Sequence, residues 1–142
     1  MFKKNLTNNI YVQILFRLFV ILISCSSVSP SENQPEVRHQ IIIQHIENGI
    51  SLRETLEVLT QSIRGAYVLK LNSIEKSTLQ ELELQSELFA SQIPIMQTRL
   101  QNWKNNPTDR ILYNLSAEIS NTQDSVTAQI QKANILLDLL PQ

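Results

Sequence analysis

The sequence predicts an all-α protein, an antiparallel bundle of three long helices that follows an N-terminal segment of a different character. The 142 residues include only two glycines and five prolines, too few for the turns of a β-sandwich or barrel. From Glu36 onward, apolar residues recur every three or four positions instead of alternating, which is the helical period. The length suffices for one domain, and three segments of similar length with short connections favour the antiparallel bundle.

The first helical segment is predicted to run from about residue 36 to 72, with the turn at Asn72. Its weak point is Gly49, because glycine commonly ends a helix. A break there would raise the number of helices to four, and Gly65 is a second possible interruption. The predicted buried seam, meaning the line of positions that face the core, is Ile42, His45, Gly49, Leu52, Leu56, Leu59, Ile63 and Ala66.

The middle segment follows a heptad pattern without a fault. A capping box that starts at Ser77 or Thr78 is predicted to begin this helix. Pro94 removes a helical hydrogen bond at a cost of about 3 kcal/mol, so we expect a kink or short break near residues 89–93. The predicted buried seam is Leu79, Leu82, Ser86, Phe89, Ile93, Met96, Leu100 and Trp103.

The last segment is predicted to begin at Pro107 or Thr108 and to end near Pro141. Asp109 in its first turn suits the positive end of the helix dipole. Two successive steps of four near Val126 make a stutter in the pattern. The predicted buried seam is Leu112, Leu115, Ile119, Thr122, Val126, Ile130, Ala133, Leu137 and Leu140.

The charges divide the chain into a basic head and a mildly acidic body. Lys3, Lys4 and Arg17 are the only charged residues among the first 31. From Cys25 onward, nine Lys and Arg face thirteen Asp and Glu, a net charge of −4. Because the body has no basic stripe, we do not expect it to bind nucleic acid.

Residues 1–24 have the pattern of a secretory signal peptide. The basic start is followed by the uninterrupted apolar run Leu18–Ile23 and then by a small residue. That run is far shorter than the roughly 20 residues of a membrane-spanning helix. An extension back to Ile10 would place Arg17 near the middle of the bilayer, at a cost of about 2.5–3.5 kcal/mol.

The only cysteine, Cys25, ends this apolar run. The motif Leu22-Ile23-Ser24-Cys25 resembles the lipobox of bacterial lipoproteins. In that family the thiol receives a diacylglycerol and the chain is cut just before the cysteine. The resemblance implies that Cys25 is the palmitate-bearing first residue of the mature protein, which is anchored to the lipid bilayer. Because Ser26 stands where Asp favours inner-membrane retention, it also implies an outer-membrane or outward-facing location, with the body in the periplasm or outside.

Cys25 has two other interpretations. It could be an incidental residue after an uncleaved anchor. A catalytic thiol is disfavoured because no histidine, the usual activating base, lies nearby.

Residues 25–35 are predicted to form a flexible tether, and residues 36–142 the helical bundle domain. The stretch SSVSPSENQP is small, polar and proline-containing, which is typical of a spacer.

The sequence offers no catalytic, cofactor or metal site, and we expect the protein not to be an enzyme. His39 and His45 lie about 240° apart around a helix, so they cannot share a ligand on one face. We do not expect a di-iron site, because such a site takes a Glu-x-x-His motif from each of two helices and the sequence has one, Glu36-Val37-Arg38-His39. We expect the glutamates to be solvated on outer helix faces; they are Glu54, Glu57, Glu75, Glu81, Glu83 and Glu87.

Trp103 and Tyr113 flank the turn between the last two helices. We expect them to close the end of the core; an aromatic docking tip is the alternative.

The two ends of the chain also resemble the cyanobacterial PsbQ-type extrinsic lipoproteins of photosystem II. They share a lipidated cysteine followed by serine, a helical body, and a last helix that ends much like Leu137-Asp138-Leu139-Leu140-Pro141-Gln142. The His-Gly-Pro-Leu-Gly stretch of that family is absent, so no binding residue is carried over.

Together these patterns predict a non-enzymatic lipoprotein of the bacterial envelope that acts through contact with a protein partner. One alternative is an accessory subunit of a membrane complex, either PsbQ-like or a pilot for a secretion pore. Another is a small envelope enzyme. A homo-oligomer is possible, since the heptad seams could close within one chain or pair between chains.

Overall fold

A computed structural model describes residues 35–140, which form three long α-helices. Helix α1 spans Pro35–Tyr67, α2 spans Ser73–Asn105 and α3 spans Asp109–Asp138. No strand occurs in the described range. The predicted all-α bundle of three helices is confirmed. Pro35, which the sequence placed in the tether, is the first residue of α1, where its fixed φ suits a helix start.

Helices α1 and α2 run antiparallel. Near the end of α1, Arg64 Nε lies 3.4 Å from Glu83 Oε1, in the first third of α2. In the first half of α1, Glu47 Oε1 lies 3.9 Å from Lys104 Nζ, in the last turn of α2. The ion pairs therefore join the late part of one helix to the early part of the other.

Helices α2 and α3 are also antiparallel. Lys132 Nζ lies 2.7 Å from Glu81 Oε1, which joins the last third of α3 to the first third of α2. Arg99 Nη1 lies 2.6 Å from Glu118 Oε2, which joins the last third of α2 to the first third of α3. It follows that α1 and α3 are parallel to each other.

The possible break at Gly49 does not occur, and neither does the one at Gly65. Both glycines lie within α1, and neither has a positive φ. Gly49 is buried against α3, where it allows a close approach between the helices. Helix α1 ends at Tyr67 instead of near residue 72, in a turn that Lys70 N closes by donating to the Tyr67 carbonyl at 2.8 Å.

The N-cap of α2 lies five residues before Ser77, the first of the two predicted capping-box positions. Asn72 is the N-cap, and its Oδ1 accepts hydrogen bonds from the backbone N–H groups of Ile74 and Glu75, both at 2.9 Å. In return, the Asn72 N–H donates to Glu75 Oε2 at 2.8 Å. The capping box therefore exists, but Asn72 opens it and not the predicted serine or threonine.

Helix α2 is continuous through Pro94, so the short break near residues 89–93 does not occur, and the alternative of a kink stays a prediction. Proline removes one helical hydrogen bond, whereas the buried side chains of Phe89, Ile93 and Met96 hold both sides of the site against the core. Packing of these three side chains outweighs the single lost bond.

The predicted core of α2 is confirmed at every position of its seam. In α3 the prediction holds at six positions, while Leu136 is buried in place of Leu137 and Thr122 is only half-buried. Leu140, just after α3, is buried as predicted. Thr108 is the extended N-cap of α3, in agreement with the predicted start.

The prediction for α1 is right at four positions and wrong at the others. The buried residues of α1 are Ile46, Gly49, Ile50, Arg53, Leu56, Leu59, Thr60 and Ile63. Ala66 is exposed, and Ile42, His45 and Leu52 are half-buried.

Candidate functional site

The most unusual side chain of the described core is Arg53, which is 1% exposed in the middle of α1. Its guanidinium contacts all three helices. Nη1 donates to the carbonyl of Gly49 at 2.9 Å, and Nε donates to Gln92 Oε1 of α2 at 3.3 Å. Nη2 donates to Thr122 Oγ1 of α3 at 2.6 Å. One side chain therefore links the three helices at the same level.

None of these three acceptors is a carboxylate, so the Arg53 charge has no direct ion-pair partner among them. Burial lowers the pKa of Arg53, and the Glu118 carboxylate partly offsets this. The Glu118 carboxylate itself binds Arg99. The guanidinium carbon also lies 5.7 Å from the centre of the Phe89 ring, within cation–π range.

The lowered pKa of Arg53 fixes the sign of its effect on stability. Below that pKa the buried charge lowers the free energy of unfolding, and this cost disappears only as pH rises through the lowered pKa toward the ordinary pKa of arginine. At neutral pH the folded protein therefore retains the cost.

The Arg53 cluster can hold the helices in register, but its burial keeps the guanidinium away from any ligand in solution. A satisfied buried polar group selects one helix alignment, because every other alignment would leave it without partners. Arg53 was not among the residues predicted to be buried or functional. The helical spacing could have indicated its burial. Position 53 lies seven residues after Ile46 and three before Leu56, so the three share one face of the helix.

The two histidines bind different residues of α3. His39 Nε2 lies 2.8 Å from Asp109 Oδ1, and its ring stands edge-on to Trp103 with 5.6 Å between centroids. His45 Nε2 lies 3.0 Å from Ser120 Oγ. The histidines therefore contact different residues and do not meet, as predicted, and each imidazole has a partner on α3.

Within residues 35–140, no group of three or more histidine, cysteine or acidic side chains could hold a metal ion. The six predicted outward glutamates are all exposed or half-buried, as expected. Two of them serve as ion-pair partners between helices, Glu81 with Lys132 and Glu83 with Arg64.

Trp103 closes one end of the core, whereas Tyr113 does not. Trp103 is buried with Ile46, Leu100 and Leu112, and its Nε1 has no hydrogen-bond partner among residues 35–140. Tyr113 is 47% exposed. The two rings therefore do not form a shared docking tip.

An open apolar groove lies between the first turns of α2 and the last turns of α3. Its volume is about 330 Å³. Three of its side chains are well exposed, Ile74 at 77%, Ile135 at 61% and Leu139 at 66%. The full lining is Ile74, Glu75, Thr78, Ala128, Gln131, Lys132, Ile135, Leu136 and Leu139. Such a groove can accept apolar side chains of a partner.

The predicted lipidation site, Cys25, lies outside the described residues, as do the signal peptide and residues 25–34 of the tether. None of the helices in the described part of the chain is both long and apolar enough to span a bilayer.

Comparison with known proteins gave no match: no protein-family model, no curated protein and no solved structure is similar to this chain. The class that the fold defines is the three-helix bundle. The lipoprotein motif and the PsbQ-type resemblance stay predictions from the residues that carry them.

Proposed function

We propose that the chain is a lipid-anchored, non-enzymatic lipoprotein of the bacterial envelope that acts through protein contact. The observation that carries the proposal is Leu22-Ile23-Ser24-Cys25 at the end of a short apolar run with a basic start. The polar stretch that follows and the helical body from Pro35 onward fit a tethered domain.

Physical chemistry supports the anchor. Each buried methylene of an acyl chain contributes about 0.8 kcal/mol, and stable attachment takes two chains. A diacylglycerol on Cys25 supplies two chains. A small bundle at the end of about ten spacer residues would then stay at the membrane surface without a spanning helix.

The anchor is tested by metabolic labelling with palmitate and by fractionation of the membranes. The wild-type chain should take up label and appear in the outer membrane, whereas Cys25→Ser should do neither. Ser26→Asp is the matched variant, since it should keep the label and move the protein to the inner membrane. Label that persists in Cys25→Ser would rule out this site.

The groove between α2 and α3 supports the second half of the proposal. Its exposed apolar lining suits an apolar segment of an envelope protein, since burial of Ile135 and Leu139 by a partner removes apolar surface from water. The proposed function is thus anchoring through Cys25 and contact through an apolar surface of the body.

This contact is tested by isolating the chain from membranes after cross-linking. A partner in fixed stoichiometry should accompany the wild-type chain and be lost from Ile135→Glu. Ile41→Glu is a matched control, because Ile41 is 62% exposed and Ile135 is 61% exposed. Equal recovery of the partner with both variants would exclude the groove, and the absence of any stoichiometric partner would contradict a contact role.

A further inference from the structure

We propose that two copies of this chain pair through the outward face of α2, with the two α2 helices antiparallel. The proposal does not depend on Cys25 or on the groove. It rests on how several exposed apolar residues are aligned on α2. A single exposed apolar side chain would be ordinary on a protein surface and would carry no argument.

Besides Ile74 in the first turn, which lines the groove, three large apolar side chains on α2 point into solvent. Leu84 is 65% exposed, Leu88 is 54% exposed and Ile95 is 59% exposed. At 100° per residue they fall within about 40° of one another around the helix. They therefore form one line, on the side of α2 away from the buried seam.

The surroundings of these three residues extend the line. Every α2 residue between positions 77 and 102 that lies within about 40° of Leu84 is exposed and uncharged. We call this set the outer stripe; it consists of Ser77, Gln80, Leu84, Leu88, Ser91, Ile95, Thr98 and Asn102. It is about 38 Å long at 1.5 Å per residue. Its polar members are short or uncharged, so a second helix can approach closely.

The charges that border the outer stripe point to a second copy of this chain as the occupant. Glu81 and Arg99 both lie about 60° from Leu84, on the side toward α3. They are nine residues to either side of position 90. A two-fold axis through that position, perpendicular to both helices, brings each Glu81 level with the Arg99 of the other copy and on the same side.

The α3 partners of these residues complete the match. Within one chain, Glu81 binds Lys132 and Arg99 binds Glu118, and all four side chains are between 34% and 54% exposed. Each end of the paired outer stripes would then hold Glu81 and Lys132 of one copy beside Arg99 and Glu118 of the other, so that carboxylates and cations are adjacent. Such complementarity favours this register over a parallel one.

The opposite border of the outer stripe is compatible with the same axis. It carries Glu87, which the axis places about 9 Å along the helix from its own symmetry mate. In water two carboxylates at that separation repel only weakly.

The arrangement is tested by cross-linking cysteines introduced one at a time into the full chain, which keeps Cys25, in detergent micelles that greatly outnumber the protein. Ser91 of one copy lies within about 3 Å of Ser91 of the other along the helix axis, whereas the two Asn102 residues lie about 36 Å apart. Ser91→Cys should give a cross-linked dimer with a short bismaleimide. Asn102→Cys should give no more dimer than the wild-type chain. The wild-type chain measures any cross-linking through Cys25.

Each other outcome overturns the proposal. Cross-linked dimer from both variants would show a parallel pair. A product of another mass would show a different protein on the outer stripe, and no product from Ser91→Cys would show an unoccupied face. Leu88→Glu should abolish the Ser91→Cys dimer, while Ile41→Glu should leave it unchanged.

A charge exchange tests the register. Glu81→Arg should weaken the dimer about 2- to 30-fold, because it breaks two symmetry-related exposed pairs. Adding Arg99→Glu restores those pairs between copies but leaves both pairs within the chain, to Lys132 and Glu118, repulsive. Recovery of the dimer in the double variant therefore reports contact between copies, and failure to recover contradicts the register. Palmitate labelling is measured separately, because it tests the anchor at Cys25 and not the dimer.

Discussion

Gly49 of α1 and Ile119 of α3 lie so close that a Cβ at position 49 would come within 2.7 Å of Ile119 Cδ1. Ile119 is fully buried, so its side chain has little room to move away. Gly49 thus fixes how closely α1 and α3 approach each other, beside the carbonyl that accepts a hydrogen bond from Arg53.

We therefore expect Gly49→Ala to destabilise the fold although alanine is the better helix former. Overpacking costs about 1–3 kcal/mol, against a gain in helix propensity of up to about 1 kcal/mol. Unfolding in urea, followed by far-UV circular dichroism, measures the difference in the free energy of unfolding.

Gly65→Ala is the matched control, since a Cβ there would meet nothing within 4 Å. This variant should gain about 0.5–1 kcal/mol, because only the propensity term changes. If both variants were stabilised alike, the close approach of Gly49 to Ile119 would be refuted.

Arg53→Ala is expected to lower the free energy of unfolding by about 3–5 kcal/mol. It leaves a cavity at the centre of the bundle and removes the hydrogen bonds to Gln92 and Thr122. Urea unfolding at neutral pH is the appropriate measurement.

Arg53→Met separates the effect of the side chain's volume on stability from the effect of its charge. Methionine fills much of the space without a buried charge, so we expect a change smaller than about 1.5 kcal/mol, of either sign. A loss as large as that of Arg53→Ala would mean that the charged hydrogen bonds and not the volume hold the helices together.

The contrast between α1 and α2 shows what could be predicted from the sequence. The α2 seam was predicted at every position because its apolar residues follow one unbroken heptad. In α1 the core line passes through Arg53 and Thr60, and no periodicity of apolar residues reveals a buried arginine. The predicted line was instead drawn through His45 and Leu52, on a neighbouring face.

The Arg53 site could not be predicted from the sequence, because its contacts join distant parts of the chain. Arg53 and Thr122 are 69 residues apart, and only the packed bundle brings them within 2.6 Å. The start of α2 was predictable in principle, because Asn72-x-x-Glu75 is a capping box with asparagine in place of serine or threonine.

Trp103→Phe should change the free energy of unfolding by less than about 1.5 kcal/mol. The buried Nε1 of Trp103 has no hydrogen-bond partner in the described part of the chain, so phenylalanine removes an unsatisfied donor while it loses some apolar contact. Trp103→Ala should lose about 3–5 kcal/mol through the cavity it leaves. A loss above about 2 kcal/mol in Trp103→Phe would show that the N–H donates to a bound water.

Pro94→Ala should stabilise the bundle, because α2 remains helical through a residue that cannot donate its helical hydrogen bond. Proline in a helix interior costs about 3 kcal/mol, and its stiffening of the unfolded chain returns about 0.4–1 kcal/mol. We therefore expect a net gain of about 2 kcal/mol in urea unfolding. Gln97→Ala, at an exposed position one turn later, should change stability by less than about 0.5 kcal/mol. If Pro94→Ala gained no more than this control, the helix would already accommodate proline without strain, and packing would not have to compensate for it.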